Sequence, residues 1–206
     1  MSSIKAPSAN TLKLLLDFEV GGGQKYYEKY LSSFTWPGGA SGPTIGIGID
    51  CAYYTKEELA DLFDFLKKEE IELIQGAVNK TKDAGKEYTK KLKQAGIVVP
   101  WANALEIFEN LTWKKFAGLA QKTFPLLEEL HEDAYGAIVS LVFNRGTKLD
   151  GDSRREMRTI KELIPLKNYQ SIAWEFRSMK RLWEGKGLDG LVRRREAEAK
   201  LVENAI

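Results

Sequence analysis

The sequence predicts a mainly helical α+β fold of two lobes. A small β-rich lobe covers about residues 20–54, and a larger helical lobe covers about 55–206 together with the N-terminal helix, all in one domain of residues 1–206. Three observations predict this. Aromatics, β-formers and glycines gather in one stretch, roughly 24–50, to which any sheet is confined. Capping boxes and helical apolar spacing dominate after Thr55. The 206 residues, 43% hydrophobic and 29% charged, are enough for one sizeable core.

The elements follow in order. Pro7-Ser8 starts and caps a first helix over "ANTLKLLLDFEV", stopped by Gly21-Gly22-Gly23. "QKYYEKYLSSFTWPGGASGPTIGIGID" is the β-like segment, and "PGGASGP" within it is a loop. Thr55 and Glu58 form a capping box before "LADLFDFLKKEEIELIQGAV", with Leu59, Leu62, Phe63 and Leu66 at helical spacing. A polar helix over about 82–95 stops at Gly96. "VVPWANALEIFENLTWKKFAGLAQKTFP" reads as two short helices. "ELHEDAYGAIVSLVFNRG" is apolar enough to be a central, buried helix, stopped by Gly146. Ser153 and Glu156 suggest a second capping box, Pro165 a break, and two helices close the chain.

Composition excludes several functions. His131 is the only histidine and sits between acidic neighbours, as a helix-surface residue would, so histidine-rich metal sites are excluded. "GIGID" lacks the third glycine of a dinucleotide fingerprint, and there is no phosphate-binding loop motif. No metal or organic cofactor is implied. Cys51 is the only cysteine, so no internal disulfide forms. No apolar run approaches the roughly 20 residues of a membrane span. From Ser153 to the C-terminus 13 Lys/Arg face 8 Asp/Glu, but the pattern suits solvated helix faces with ion pairs, and no nucleic-acid fold accompanies it. Neither nucleic acid nor membrane insertion is expected, and a monomer is. The chemistry must lean on carboxylates.

Two places carry them. Leu12, Leu15 and Leu16 make an i, i+3, i+4 stripe on the first helix, and Glu19 takes the i+7 position. Burial there would disfavour the charged form and prepare a general acid; a fraying last turn reaching water is the alternative. In "PTIGIGID", a strand would put Ile45, Ile47 and Ile49 on one face and Thr44, Gly46, Gly48 and Asp50 on the other. That second face offers a hydroxyl, two gaps and a carboxylate. It suits either a floor beneath a ligand or a tight sheet corner.

An acid ending a first helix, followed by a Gly-rich strand with Thr and Asp, resembles the phage-type lysozymes, glycoside hydrolase family 24. "DFEVGGG" and "SGPTIGIGID" carry the likeness, with "FNRG" at 143–146 and "GLVRRREAEAKL" at 190–201 downstream. The fit is closest to the pesticin-like muramidase branch, where the Asp follows the Thr. The resemblance implies a lysozyme-like fold and cleavage of the β-1,4 bond between N-acetylmuramic acid and N-acetylglucosamine in bacterial peptidoglycan. It implies catalytic roles for Glu19, Asp50 and Thr44, with Gly46 and Gly48 leaving room for a sugar ring and Asn144 and Arg145 binding substrate. A cleft between the lobes is where that substrate would lie.

Some residues depart from the phage pattern. There the Asp precedes the Thr by six residues, a position held here by Gly38. Asp50 follows by six instead, and a straight strand of that length spans roughly 20 Å, so the glycines must bend the chain. Glu28, nine residues after Glu19, is the rival second carboxylate. Arg194 and Arg195 fit a structural role, and Tyr26, Tyr27, Trp36 and Trp183 serve either as sugar platforms or as core. A wall-binding domain without activity, or a hydrolase of chitin-like polymers, are the competing functions. With no signal peptide at the N-terminus, the chain is expected to be made in the cytoplasm and to reach the wall through a holin or another non-classical route.

Overall fold

A computed structural model describes residues 3–21 and 23–206. It is mainly helical with one two-stranded sheet, as the composition predicts. The chain divides into two compact units, one of residues 19–108 and one of residues 1–18 with 109–206. The first unit therefore extends well past residue 54, the expected lobe limit, and takes four further helices with it.

In the unit 19–108, α2 spans Gly23–Tyr30, β1 Thr44–Ile45 and β2 Ile49–Asp50. Helices α3 (Lys56–Leu62), α4 (Lys68–Gln75), α5 (Lys82–Gln94) and α6 (Trp101–Ile107) follow. Residues 24–30, read above as β-like, are helical. Tyr26, Tyr27 and Tyr30 stand at i, i+1 and i+4, which a helix uses and a strand does not. Tyr26 and Tyr30 meet with ring centroids 4.7 Å apart. Tyr27 is fully buried, packs on Trp101 at 5.1 Å and donates to the carbonyl of Val99 at 2.8 Å. Packing and one satisfied hydroxyl outweigh the weak β propensity of tyrosine.

The sheet is smaller than expected. Beyond the β1–β2 hairpin, only isolated bridges, Ser33 with Val98 and Thr35 with Thr44, extend it among the described residues. The Thr55–Glu58 capping box forms, and Gly96 is left-handed just past α5. The long apolar run after it breaks between α3 and α4, at residues 63–67, where Lys67 starts the next helix.

The other unit holds α1 (Ala9–Glu19, without its last residue), α7 (Lys114–Thr123), α8 (Glu132–Arg145), α9 (Arg155–Leu163), α10 (Tyr169–Ser178) and α11 (Asp189–Glu203). Ser8 caps α1, its Oγ accepting from the N–H of Thr11 at 3.1 Å. Gly22 of the expected stop lies outside the described residues, and Gly21 is left-handed. The two short helices expected over 98–125 are α6 and α7, joined without a break by a π-helical turn, Phe108–Trp113. Helix α8 is the central helix, with ten residues buried from Asp133 to Val142, and Gly146 ends it at φ +72°. It packs on α7 and α11, and α10 packs on α9 and α11. At Gly136 it meets α1 so closely that an added Cβ would lie 1.8 Å from Thr11 Oγ1.

The second capping box does not form. Ser153 lies in a 3-10 turn, and Glu156, 1% exposed, pairs with Arg181 and Arg155 at 2.6 and 3.1 Å. A buried carboxylate facing two guanidinium groups gains more than one bonding an exposed N–H. His131 caps α8, Nδ1 accepting from the N–H of Asp133 at 3.2 Å. No described helix is long and apolar enough to cross a membrane.

Candidate active site

The segment Thr44–Asp50 is a hairpin, which corrects the single strand read from its alternation. Gly46 and Gly48 are left-handed, at φ +67° and +79°, and with Ile47 they make the turn. The register sets Ile45 opposite Ile49 and Thr44 opposite Asp50. Backbone groups of Thr44 bond Thr35 on its other side at 2.7 and 2.8 Å. Thr44 and Asp50 are therefore a pair without mutual ladder bonds, their Cβ atoms roughly 5 Å apart. The roughly 20 Å of a straight strand is gone. The three isoleucines still share the core, being 1%, 8% and 3% exposed. Gly46 is buried with Tyr27 Oη 4.0 Å from the place of a Cβ, while Gly48 is exposed and faces open space.

Both polar side chains converge on Gly42. Thr44 Oγ1 donates to its carbonyl at 3.2 Å. The N–H of Gly42 donates to both oxygens of Asp50, at 3.1 and 3.0 Å, and the N–H of Ala52 donates to Oδ1 at 3.2 Å. Asp50 thus caps the short turn Cys51–Tyr53 and is fixed in orientation. Gly42, read only as loop, is the residue that sequence reasoning missed. A Cβ there would fall 2.4 Å from Ala52 Cβ, 2.6 Å from the Lys80 carbonyl and 2.8 Å from Asp50 Oδ1. Its one sequence signal is its place between Ser41 and Pro43. Burial, with the charge of Asp50 added, pushes the Cys51 thiol up and keeps it unreactive.

Glu19 ends α1, and it is exposed. The buried stripe of α1 is Thr11, Leu14 and Leu15, continued by the partly covered Phe18, so it runs beside the Leu12–Leu15–Leu16 line and leaves Glu19 at its margin. Of the two readings of Glu19, a buried acid or a helix end reaching water, the second holds. Glu28 is exposed on α2, with Gln24 donating to it at 2.8 Å. Trp36 is partly buried, donates to the carbonyl of Ser41 at 2.9 Å and carries Lys86 over its ring at 5.5 Å.

Glu19, Glu28, Thr44, Gly46, Gly48 and Asp50 belong to the unit 19–108; Asn144 and Arg145, at the end of α8, belong to the other. Both are partly exposed. Arg145 stacks on Trp183 with its guanidinium carbon 4.7 Å from the ring centre. Burial and the neighbouring Arg154 and Arg195 push it down to about 10. Arg194 and Arg195 take the structural role: Arg195 is fully buried and pairs with the equally buried Glu198 at 2.7 Å. Glu198 also accepts from Ser140 at 2.6 Å, which joins α11 to α8. Among the described residues no group of three or more His, Cys, Asp or Glu is placed to hold a metal ion.

The phage lysozyme family matches the chain over residues 30–198, and the chain belongs to that family. The match contains the hairpin, the end of α8 and the paired arginines; Glu19 precedes it. No curated protein matches the chain. Membership makes the protein a glycoside hydrolase of the peptidoglycan-degrading kind.

Proposed function

We propose that the protein is a muramidase, adding water across the β-1,4 bond between N-acetylmuramic acid and N-acetylglucosamine of bacterial peptidoglycan and so lysing the wall. The observation that carries this reading is the hairpin register. It sets a hydroxyl, Thr44, opposite a fixed carboxylate, Asp50, across a glycine turn, in a chain of the phage lysozyme family.

In this reading Glu19, exposed at the end of α1, protonates the leaving glycosidic oxygen. Asp50, whose two oxygens both accept backbone N–H bonds, is a fixed negative group that steadies the positive charge developing on the sugar or orients the water. Thr44 positions that water. Gly46 and Gly48 form a side-chain-free turn beside the pair, with open space at Gly48 for a sugar ring. Asn144 and Arg145 bind sugar hydroxyls and the acidic groups of the muramyl side. Glu28, bonded only to Gln24 among the described contacts and exposed on α2, is less fitted to the second role. The protein acts after release to the wall.

Clearing of a purified peptidoglycan suspension, with chitin in parallel, tests the proposal. Reducing ends released from peptidoglycan and not from chitin are expected. Chitin cleaved at an equal rate, or binding without any clearing, would overturn it.

A further inference from the structure

We infer that Trp174 and its neighbours form a second sugar-binding site, which holds a neutral N-acetylated amino sugar of the glycan strand and shares no residue with the proposed catalytic set. The identity of the sugar rests on the muramidase reading.

Helix α10 is two-faced. Ile172, Ala173 and Phe176 are buried, so its core contact is complete without Trp174. Trp174 is 69% exposed, although a large indole ordinarily finds cover. Gln170, Ser171, Trp174 and Arg177 fall at i, i+1, i+4 and i+7, one face of the helix. With Glu203 of α11 they line a cavity of about 450 Å³. That volume lies within the roughly 300–1,000 Å³ of small-molecule sites.

The chemistry of the lining selects the ligand. A pyranose offers a flat C–H face and a rim of hydroxyl and amide groups. The indole answers the face; the amide of Gln170 and the hydroxyl of Ser171 answer the rim. Arg177, the cation among the described lining residues, is already matched. Arg177 bonds Glu203 through both terminal nitrogens, at 2.5 and 3.0 Å, and Glu196 through Nε at 3.1 Å. Among the described residues lining the cavity no surplus positive charge is left to hold a phosphate or a nucleic acid, so a neutral sugar fits better than an anionic polymer. On an insoluble polymer, a second hold of this kind keeps the enzyme at high effective concentration near its substrate.

The test is co-sedimentation of the full chain with purified sacculi, using Trp174→Ala and Trp174→Tyr. The soluble competitors are an N-acetylglucosamine trimer and inorganic phosphate. Trp174→Ala is expected to sediment about tenfold more weakly and to melt as the parent does, since its indole is exposed. Trp174→Tyr keeps a stacking ring and recovers most of the binding, and the trimer displaces where phosphate does not. Undiminished sedimentation of Trp174→Ala, or displacement by phosphate alone, overturns the inference. Sedimentation that depends on Trp174 without clearing of the suspension would sink the muramidase reading and leave this one standing. Clearing with no dependence on Trp174 would do the reverse.

Discussion

Replacing Asp50 with Asn probes structure and chemistry at once. Asp50 receives three N–H contacts, two at Oδ1 and one at Oδ2. Asparagine can keep the Oδ1 pair, but its NH₂ then faces the N–H of Gly42 across 3.0 Å, donor to donor. A hydrogen bond to a charged acceptor contributes about 1.5–3 kcal/mol and a neutral one about 0.5–1.5, so the lost charge costs about 1 kcal/mol. The opposed donors add up to about 1 kcal/mol more, less whatever water supplies to this half-buried site. A loss of about 1–2 kcal/mol lowers the melting temperature by roughly 2–8 °C in a chain of this size. The chemical effect is larger: removing a preorganised group that stabilises the transition state costs about 10²–10³ in rate. Calorimetry reads the first quantity. Peptidoglycan clearing, assayed below the measured transition of both proteins, reads the second without unfolding intruding. An unchanged melting temperature would refute the capping account. Lysis within about threefold of the parent would refute the catalytic role.

Four further outcomes are expected. Glu19→Gln should lower clearing by about two to four orders of magnitude while the protein still melts cooperatively; full activity would remove Glu19 from the mechanism. Glu28→Gln should keep lysis and change stability by less than about 0.5 kcal/mol, since its carboxylate is exposed; an inactive variant would make Glu28 the second carboxylate. Glu198→Ala leaves the fully buried Arg195 without its carboxylate and should cost about 3–5 kcal/mol in chemical denaturation; a cost under about 1 would refute the pairing account. Burial pushes Asp133 up, but hydrogen bonds from Ser8, Asn204 and Asn10 outweigh it and hold the carboxyl below its ordinary value. The unfolded chain therefore takes up this proton first, so the stability Asp133 supplies is complete above about pH 4 and is lost as pH falls through the lower folded value. Melting curves of Asp133→Asn should show a flatter acid limb than the parent, and an equally steep limb would refute this.

Much was legible from local rules alone. The Ser8 cap, the Thr55–Glu58 box, the glycine stops after α5 and α8 and the burial of α8 all depend on residues within one turn or one apolar period of each other. The family was legible for a similar reason, since its motifs are short and contiguous. Tertiary structure decided the rest, wherever two local readings were nearly equal. The aromatic composition of residues 24–30 suits a strand, but the spacing of Tyr26, Tyr27 and Tyr30 suits a helix, and the bond from the hydroxyl of Tyr27 to the carbonyl of Val99, 72 residues away, holds α2 in place. Alternation in "TIGIGID" reads as a strand until left-handed glycines fold it, a backbone choice that only glycine leaves open. Ser153 and Glu156 match a capping box, but Arg181, 25 residues on, claims the carboxylate. Glu19 sits on a plausible stripe, yet the helix turned so that Thr11, Leu14 and Leu15 face inward and Glu19 faces out. One sequence specifies periods and caps. Which of two faces is buried, and which partner a carboxylate meets, depends on residues the chain brings near only after it folds.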